Sequence, residues 1–190
     1  MKLSYTDYIK YNYYNIYIAL NSLSYYCIWF LCLFYVIKHN FDYYLQVAFL
    51  LNIIQYVIYL NLTDHKLRFN IFIITITLLA IIIDSIFYNL GWVLFNNNDF
   101  YYISPIWLMI MWNNFSVTFY ITSQYFFNKP YILSILVLIF VPLAYFYIEF
   151  FKAMYIKSSF ILLCYGLIWA ILFPCICVFT KDNKILSKVN

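Results

Sequence analysis

The chain has 190 residues, of which 67% are hydrophobic and only 9% charged, and its mean hydropathy is +0.83. A soluble domain carries about 25% charged residues, so this composition excludes one and points to an integral membrane protein. The net charge of +4 is too small for a nucleic-acid footprint and is distributed by topology instead.

A membrane span with a short connection takes about 30 residues. The chain is therefore expected to be an all-α membrane protein, six transmembrane helices in one compact bundle, with residues 1–190 forming a single integral membrane domain. With 23 Tyr and 20 Phe but only 2 Gly, helix packing is expected to rest on aromatic interdigitation rather than on small residues. The five cysteines, Cys27, Cys32, Cys164, Cys175 and Cys177, all fall in apolar runs and read as buried thiols.

Residues 1–14 carry Lys2, Asp7 and Lys10 among tyrosines, the pattern of an interfacial segment rather than a cleaved signal peptide. The first span is expected over about 16–37, ending at Lys38, His39, Asn40 and Asp42; its early Asn21, Ser22 and Ser24 imply contact with protein. The second, about 43–62, holds Gln46, Asn52 and Gln55, and three amides in one span imply a buried face.

The third span, about 69–95, has one charged side chain, Asp84. A carboxyl group inside a bilayer costs roughly 3 kcal/mol on insertion scales, so it should face the protein. Thr77, Ile81, Tyr88 and Gly91 share its helical stripe.

The fourth span is expected over 104–127, with Pro105 at the first helical position and a stripe of Trp107, Met111, Asn114, Thr118, Thr122 and Tyr125. The fifth, about 131–150, contains Pro142, and the sixth, about 158–179, contains Pro174. Each proline is a plain kink or part of a cavity wall.

Alternating spans put Lys2, Lys10, Lys66, Arg68, Lys129, Lys181, Lys184 and Lys188 on one side and only Lys38, Lys152 and Lys157 on the other. The excess of basic residues predicts cytoplasmic termini at both ends. No internal repeat is visible.

In that orientation Asp84 lies in the outer half of the membrane, within about a turn of the levels of Trp29, Trp112 and Tyr145. Asp84, Ser85, Tyr88, Trp112, Asn113, Asn114 and Tyr145 form the candidate intramembrane polar site. No lysine or arginine falls inside a span, so Asp84 has no cationic partner there. It is either a structural polar pin or a residue that handles a proton or binds a headgroup. Motifs for zinc hydrolases, serine hydrolases, phosphate loops and histidine haem ligation are missing from the sequence, and no metal or cofactor is expected.

Several segments together carry a resemblance: CIWFLC, LLAIIIDSIFYNLG, PIWLMIMWNNF, VPLAY and LIWAILFPC, in that order between Asn15 and Lys181. They resemble the bacterial inner-membrane family catalogued as domain of unknown function 2878. Its most specific elements here are Asp84-Ser85, Pro105 and Trp107 followed by Trp112, Pro142-Leu143 with Tyr145, and Trp169 with Pro174. The chain departs from the family pattern late in the fourth span, where Tyr120, Ile121 and Thr122 stand in place of Asn-His-Ser.

The resemblance implies a multi-pass protein often encoded near enzymes that modify membrane fatty acids. The expected role is an accessory or lipid-binding protein linked to lipid modification, with membrane lipids and lipid-modifying enzymes as partners and no nucleic acid. A small proton-coupled transporter is the alternative. A membrane-embedded enzyme comes third, because one carboxylate without a histidine, metal set or nucleophile is a thin catalytic inventory.

Overall fold

The computed structural model of the chain describes residues 5–38, 42–63, 65–98, 100–123 and 129–180. They form six helices, α1 (Tyr5–Ile37), α2 (Asp42–Leu62), α3 (Lys66–Asn89), α4 (Ile106–Ser123), α5 (Pro130–Phe150) and α6 (Ser159–Thr180). Two short strands, β1 (Val93–Phe95) and β2 (Met154–Ile156), pair antiparallel, with Leu94 opposite Tyr155. The strand pair is the one departure from an all-helical chain among the described residues.

Five helices, α1 over Ala19–Ile37 together with α2, α3, α5 and α6, are long and apolar enough to cross a membrane. The fourth falls short because Asn113, Asn114, Ser116 and Thr118 dilute its hydropathy. Every residue of α4 from Trp107 to Tyr120 is nonetheless buried or half-buried. It runs through the middle of the bundle against α1, α2 and α3. A helix shielded by neighbours does not have to match the lipid.

The outer helices show the opposite logic. On α3, Ile71, Ile74, Leu78, Ile82 and Ile86 are exposed while Phe72, Ile76, Ala80, Asp84 and Phe87 are buried. Both faces are apolar, as expected where lipid replaces water, and the inner face is marked by aromatic bulk and the single carboxyl group.

The expected third span, 69–95, is too long: α3 ends at Asn89. Gly91, at φ +66°, takes the left-handed conformation. Its N–H donates to Tyr88 O at 2.9 Å and that of Trp92 to Phe87 O at 3.0 Å, the paired bonds of a Schellman cap. The rings of Trp92 and Phe87 meet at 5.1 Å, supplying the apolar contact that accompanies such caps.

α5 ends in the same way. Lys152 sits at φ +58°, its N–H donating to Glu149 O at 2.8 Å and that of Ala153 to Ile148 O at 3.1 Å. The two caps turn the chain into the two strands. Glu149 Oε1 then accepts from Ile156 N at 3.0 Å, and Asn96 Nδ2 donates to Lys152 O at 2.6 Å.

Smaller boundary shifts have local causes. Pro105 precedes α4 instead of opening it, since its carbonyl accepts from Leu108 N and Met109 N, both at 3.1 Å. The last expected residues of the fourth span, 124–127, lie outside the described residues. α1 runs on from Tyr5 through the segment expected to lie at the interface. Pro130 takes an opening position of α5, where a missing N–H leaves nothing unpaired.

Expected to lack small-residue contacts, the bundle contains one. A Cβ on Gly166 of α6 would stand 2.8 Å from Pro142 Cγ and 2.9 Å from Leu138 O of α5. Gly166 is thus what lets these two helices form the closest pair in the bundle.

Candidate functional site

Asp84 is completely buried, and three side chains from three other helices converge on it. Trp112 of α4 donates through Nε1 to Oδ2 at 2.9 Å. The hydroxyls of Tyr145 on α5 and Tyr165 on α6 donate to Oδ1 at 2.5 and 2.9 Å. All three partners are neutral donors, and each is itself buried. Both carboxyl oxygens are satisfied, which removes most of the penalty for placing this group in a dry interior.

The rings around the carboxyl group are packed as tightly as the hydrogen bonds. Tyr145 and Tyr165 stack at 3.8 Å with planes 18° apart. Trp112 stacks on Trp169 at 4.7 Å, and Trp169 meets Phe173 at the same distance. Trp112, Tyr145 and Tyr165 have their polar tips on Asp84 and their apolar bodies in the core, whereas Trp169 Nε1 is buried with no hydrogen-bond partner among the described residues. Asp84 therefore ties α3 to α4, α5 and α6 at one point.

Of the expected site residues, the structure brings Asp84, Trp112 and Tyr145 together and leaves four elsewhere. Ser85 Oγ donates to Ile81 O at 2.6 Å and accepts from Ser104 N at 3.0 Å, so it guides the entry into α4. Tyr88 packs its ring on Phe95 at 5.7 Å. Asn113 reaches Thr77 Oγ1 at 3.5 Å, and Asn114 donates to Tyr25 O at 3.1 Å. Asn113 and Asn114 follow Trp112 in sequence but point to other faces of α4, because successive helical residues are about 100° apart.

Tyr165 and Trp169 were not expected here. Their signal is a four-residue step of large apolar side chains on α6, Ile161, Tyr165, Trp169 and Phe173, all buried. Among 23 tyrosines, a single Tyr carries little information of its own. Tyr120, at the departure from the family pattern, is buried between Phe69 and Phe72 at 5.1 and 5.3 Å. The side chains of Ile121 and Thr122 lie outside the described residues.

On the far side of Trp112 and Tyr145 from Asp84 opens a cleft of about 790 Å³, walled by α1 and α5 and floored by α4. Trp29, Leu108, Phe115 and Ala144 line it beside Trp112 and Tyr145. Its rim residues Tyr26, Phe30, Phe140 and Tyr147 are exposed on the outer surface of the bundle. α5 is joined closely to α6 but hardly approaches α4 across this gap.

A family model matches residues 18–175, and its description reads "Protein of unknown function (DUF2878)". No curated protein and no solved structure matches the chain.

Proposed function

Because the chain belongs to this family of unknown function over residues 18–175, we propose its role from the geometry: it is a six-span membrane protein that binds lipid acyl chains in the lateral cleft. The observation that carries this reading is the cleft itself. A space of about 790 Å³ falls within the roughly 300–1,000 Å³ of ordinary ligand pockets. Its walls belong to helices apolar enough to lie in a bilayer, where the surrounding solvent is acyl chain.

The six crossings are supported by where helix ends meet. Asn97 Nδ2 donates to Tyr35 O near the end of α1, and β1 and β2 pair at the ends of α3 and α5. Tyr56 OH donates to Asn70 Oδ1 at 2.7 Å where α2 gives way to α3, at the opposite pole. α4 must then return from the strand end for α5 to start again opposite it. The basic-residue excess favours both termini in the cytoplasm and the strand pair outside, and the family resemblance suggests a bacterial inner membrane.

In this reading Asp84 is a positioning residue. It fixes the polar tips of Trp112 and Tyr145, which also line the cleft. The lipid-modifying partner suggested by the family resemblance would draw on acyl chains presented there. A proton-coupled carrier is the second reading. It is favoured by a buried carboxyl group met only by neutral donors, the kind of intramembrane residue that serves proton relays.

The test is photolabelling. Purified protein in bilayers containing a phospholipid with a photoactivatable acyl chain is expected to carry adducts concentrated on cleft residues of α1, α4 and α5. Adducts confined to the outward stripe of α3 and similar surfaces would show that the cleft holds no acyl chain. Transport is tested separately in proteoliposomes, where pH-driven uptake lost in Asp84→Asn would favour the carrier.

A further inference from the structure

A second polar cluster lies on the other side of α4, between α1 and α2, and takes no part in the carboxyl hub. Gln55 Nε2 donates to Asn21 Oδ1 at 2.7 Å and to Thr118 Oγ1 at 3.1 Å. Asn114 Nδ2 donates to Tyr25 O at 3.1 Å, and Asn52 Nδ2 to Ile110 O at 3.4 Å. Asn21, Gln55 and Asn114 are all more than nine-tenths buried.

The orientation of the Asn114 amide is set by its partner. The Tyr25 carbonyl can only accept, so the Asn114 nitrogen must face it and the oxygen must turn away. Gln55 turns its nitrogen to Asn21 Oδ1 and Thr118 Oγ1. The remaining oxygens, Gln55 Oε1 and Asn114 Oδ1, are buried and have no hydrogen-bond partner among the described residues.

These two oxygens belong to adjoining levels of one interface. Asn114 and Thr118 are one helical turn apart on one face of α4, as are Asn21 and Tyr25 on α1. Each of these pairs is about 5–6 Å apart at its Cβ atoms, so the Gln55–Asn21–Thr118 bonds and the Asn114–Tyr25 bond are neighbouring rungs of the same interface. Asn21 Oδ1 and Thr118 Oγ1 each keep a further lone pair beside them.

We propose that Asn21, Gln55, Asn114 and Thr118 form a binding site for one alkali-metal cation, held by Gln55 Oε1 and Asn114 Oδ1 with Asn21 Oδ1 and Thr118 Oγ1 completing the oxygen set. Neutral oxygen ligands are the donors that replace the hydration shell of a monovalent ion in membrane proteins. Calcium and magnesium sites rely on carboxylates, and this cluster contains none. Because Tyr25 and Thr118 also line the lipid cleft, the bound ion would hold the α1 wall to the α4 floor.

The test is thermal unfolding of the purified full-length chain at equal ionic strength in sodium, potassium or choline chloride. A ligand that binds only the folded state raises Tm by mass action, and an increase of roughly 2–4 °C in one alkali salt over choline, saturating with concentration, is expected. Asn114→Leu should abolish that dependence, and Asn52→Leu, which removes a neighbouring amide outside the oxygen set, should keep it. Equal Tm in all three salts for the wild-type chain overturns the proposal, whether or not the variants fold. So does a salt dependence that survives in Asn114→Leu.

Discussion

Tyr145 donates a 2.5 Å hydrogen bond to Asp84 Oδ1, and the two residues hold the same station on their helices. Asp84 lies about two turns before Gly91, and Tyr145 about two turns before Lys152, the left-handed residues that close α3 and α5. The other two donors match as well. Trp112 and Tyr165 stand equally far into α4 and α6, counted from Ile106 and Ser159. A unit of helix, Schellman cap, strand and helix therefore occurs twice, and the carboxyl group sits on the seam between the copies. The symmetry is broken where it matters. α3 packs against α6, but α5 stands off from α4, and the cleft occupies that opening.

Substitutions at Asp84 separate a hub from an incidental polar residue. In Asp84→Asn the amide oxygen can still accept from Trp112, while the new nitrogen faces phenol oxygens able to rotate and accept. A loss of about 1–3 kcal/mol is expected. Asp84→Leu strands three buried donors at once, each at roughly that cost, and should lower the unfolding free energy in mixed micelles by a clearly larger amount. Equal effects from Asn and Leu would mean that the hydrogen bonds contribute nothing.

Gly166→Ala addresses the closest helix contact. The added methyl would meet Pro142 Cγ at 2.8 Å and the Leu138 carbonyl at 2.9 Å. One obstacle is a ring that can pucker and the other is backbone that cannot yield without moving α5. A destabilisation of about 1–3 kcal/mol follows from overpacking. Pro142→Ala in the same chain should recover only part of it, since the Leu138 oxygen stays in place. Thermal unfolding of the single and double variants measures the difference.

Much of this arrangement was readable from the sequence, and the failures have physical causes. Asp84 stood out because a charge in an apolar run has few reasons to be there. Trp112 and Tyr145 followed from depth alone, which a rise per residue supplies. Rotation about the helix axis was not readable in α4. With Trp, Asn and Asn in succession and polar residues on several faces, no stripe distinguishes Trp112 from Asn113. The end of α3 was missed because Trp92, Val93, Leu94 and Phe95 are as apolar as the helix, so hydropathy runs on unbroken through the cap. The repeat stayed hidden since equivalent positions pair Asp with Tyr, Trp with Tyr and Gly with Lys.

The two caps offer a contrast of sign. Gly91 has φ +66° and open space around it, so Gly91→Ala introduces no clash and costs only the left-handed conformation, about 1 kcal/mol. Lys152 already bears that cost at φ +58°. Lys152→Gly should therefore stabilise, by roughly 0.5–1 kcal/mol once the added freedom of the unfolded chain is subtracted. The backbone oxygen of Lys152 that accepts from Asn96 is untouched by the change. Opposite shifts in Tm for the two variants are the expected result.

Filling the cleft tests whether its volume matters apart from the stability of the bundle. Ala144 lines the cleft on α5, and an indole placed there would take up space that the proposal assigns to an acyl chain. Ala144→Trp should lose most acyl photolabelling on α1 and α4 while Tm stays near the wild-type value, because the new ring enters open volume instead of packed core. Phe146→Trp is the matching control, on the same helix but exposed at the surface and outside the cleft lining. It presents an indole to lipid on the same helix without entering the groove, so its labelling should be unchanged. If both variants lose label equally, the adducts report general lipid contact with α5, and the cleft is not the binding site.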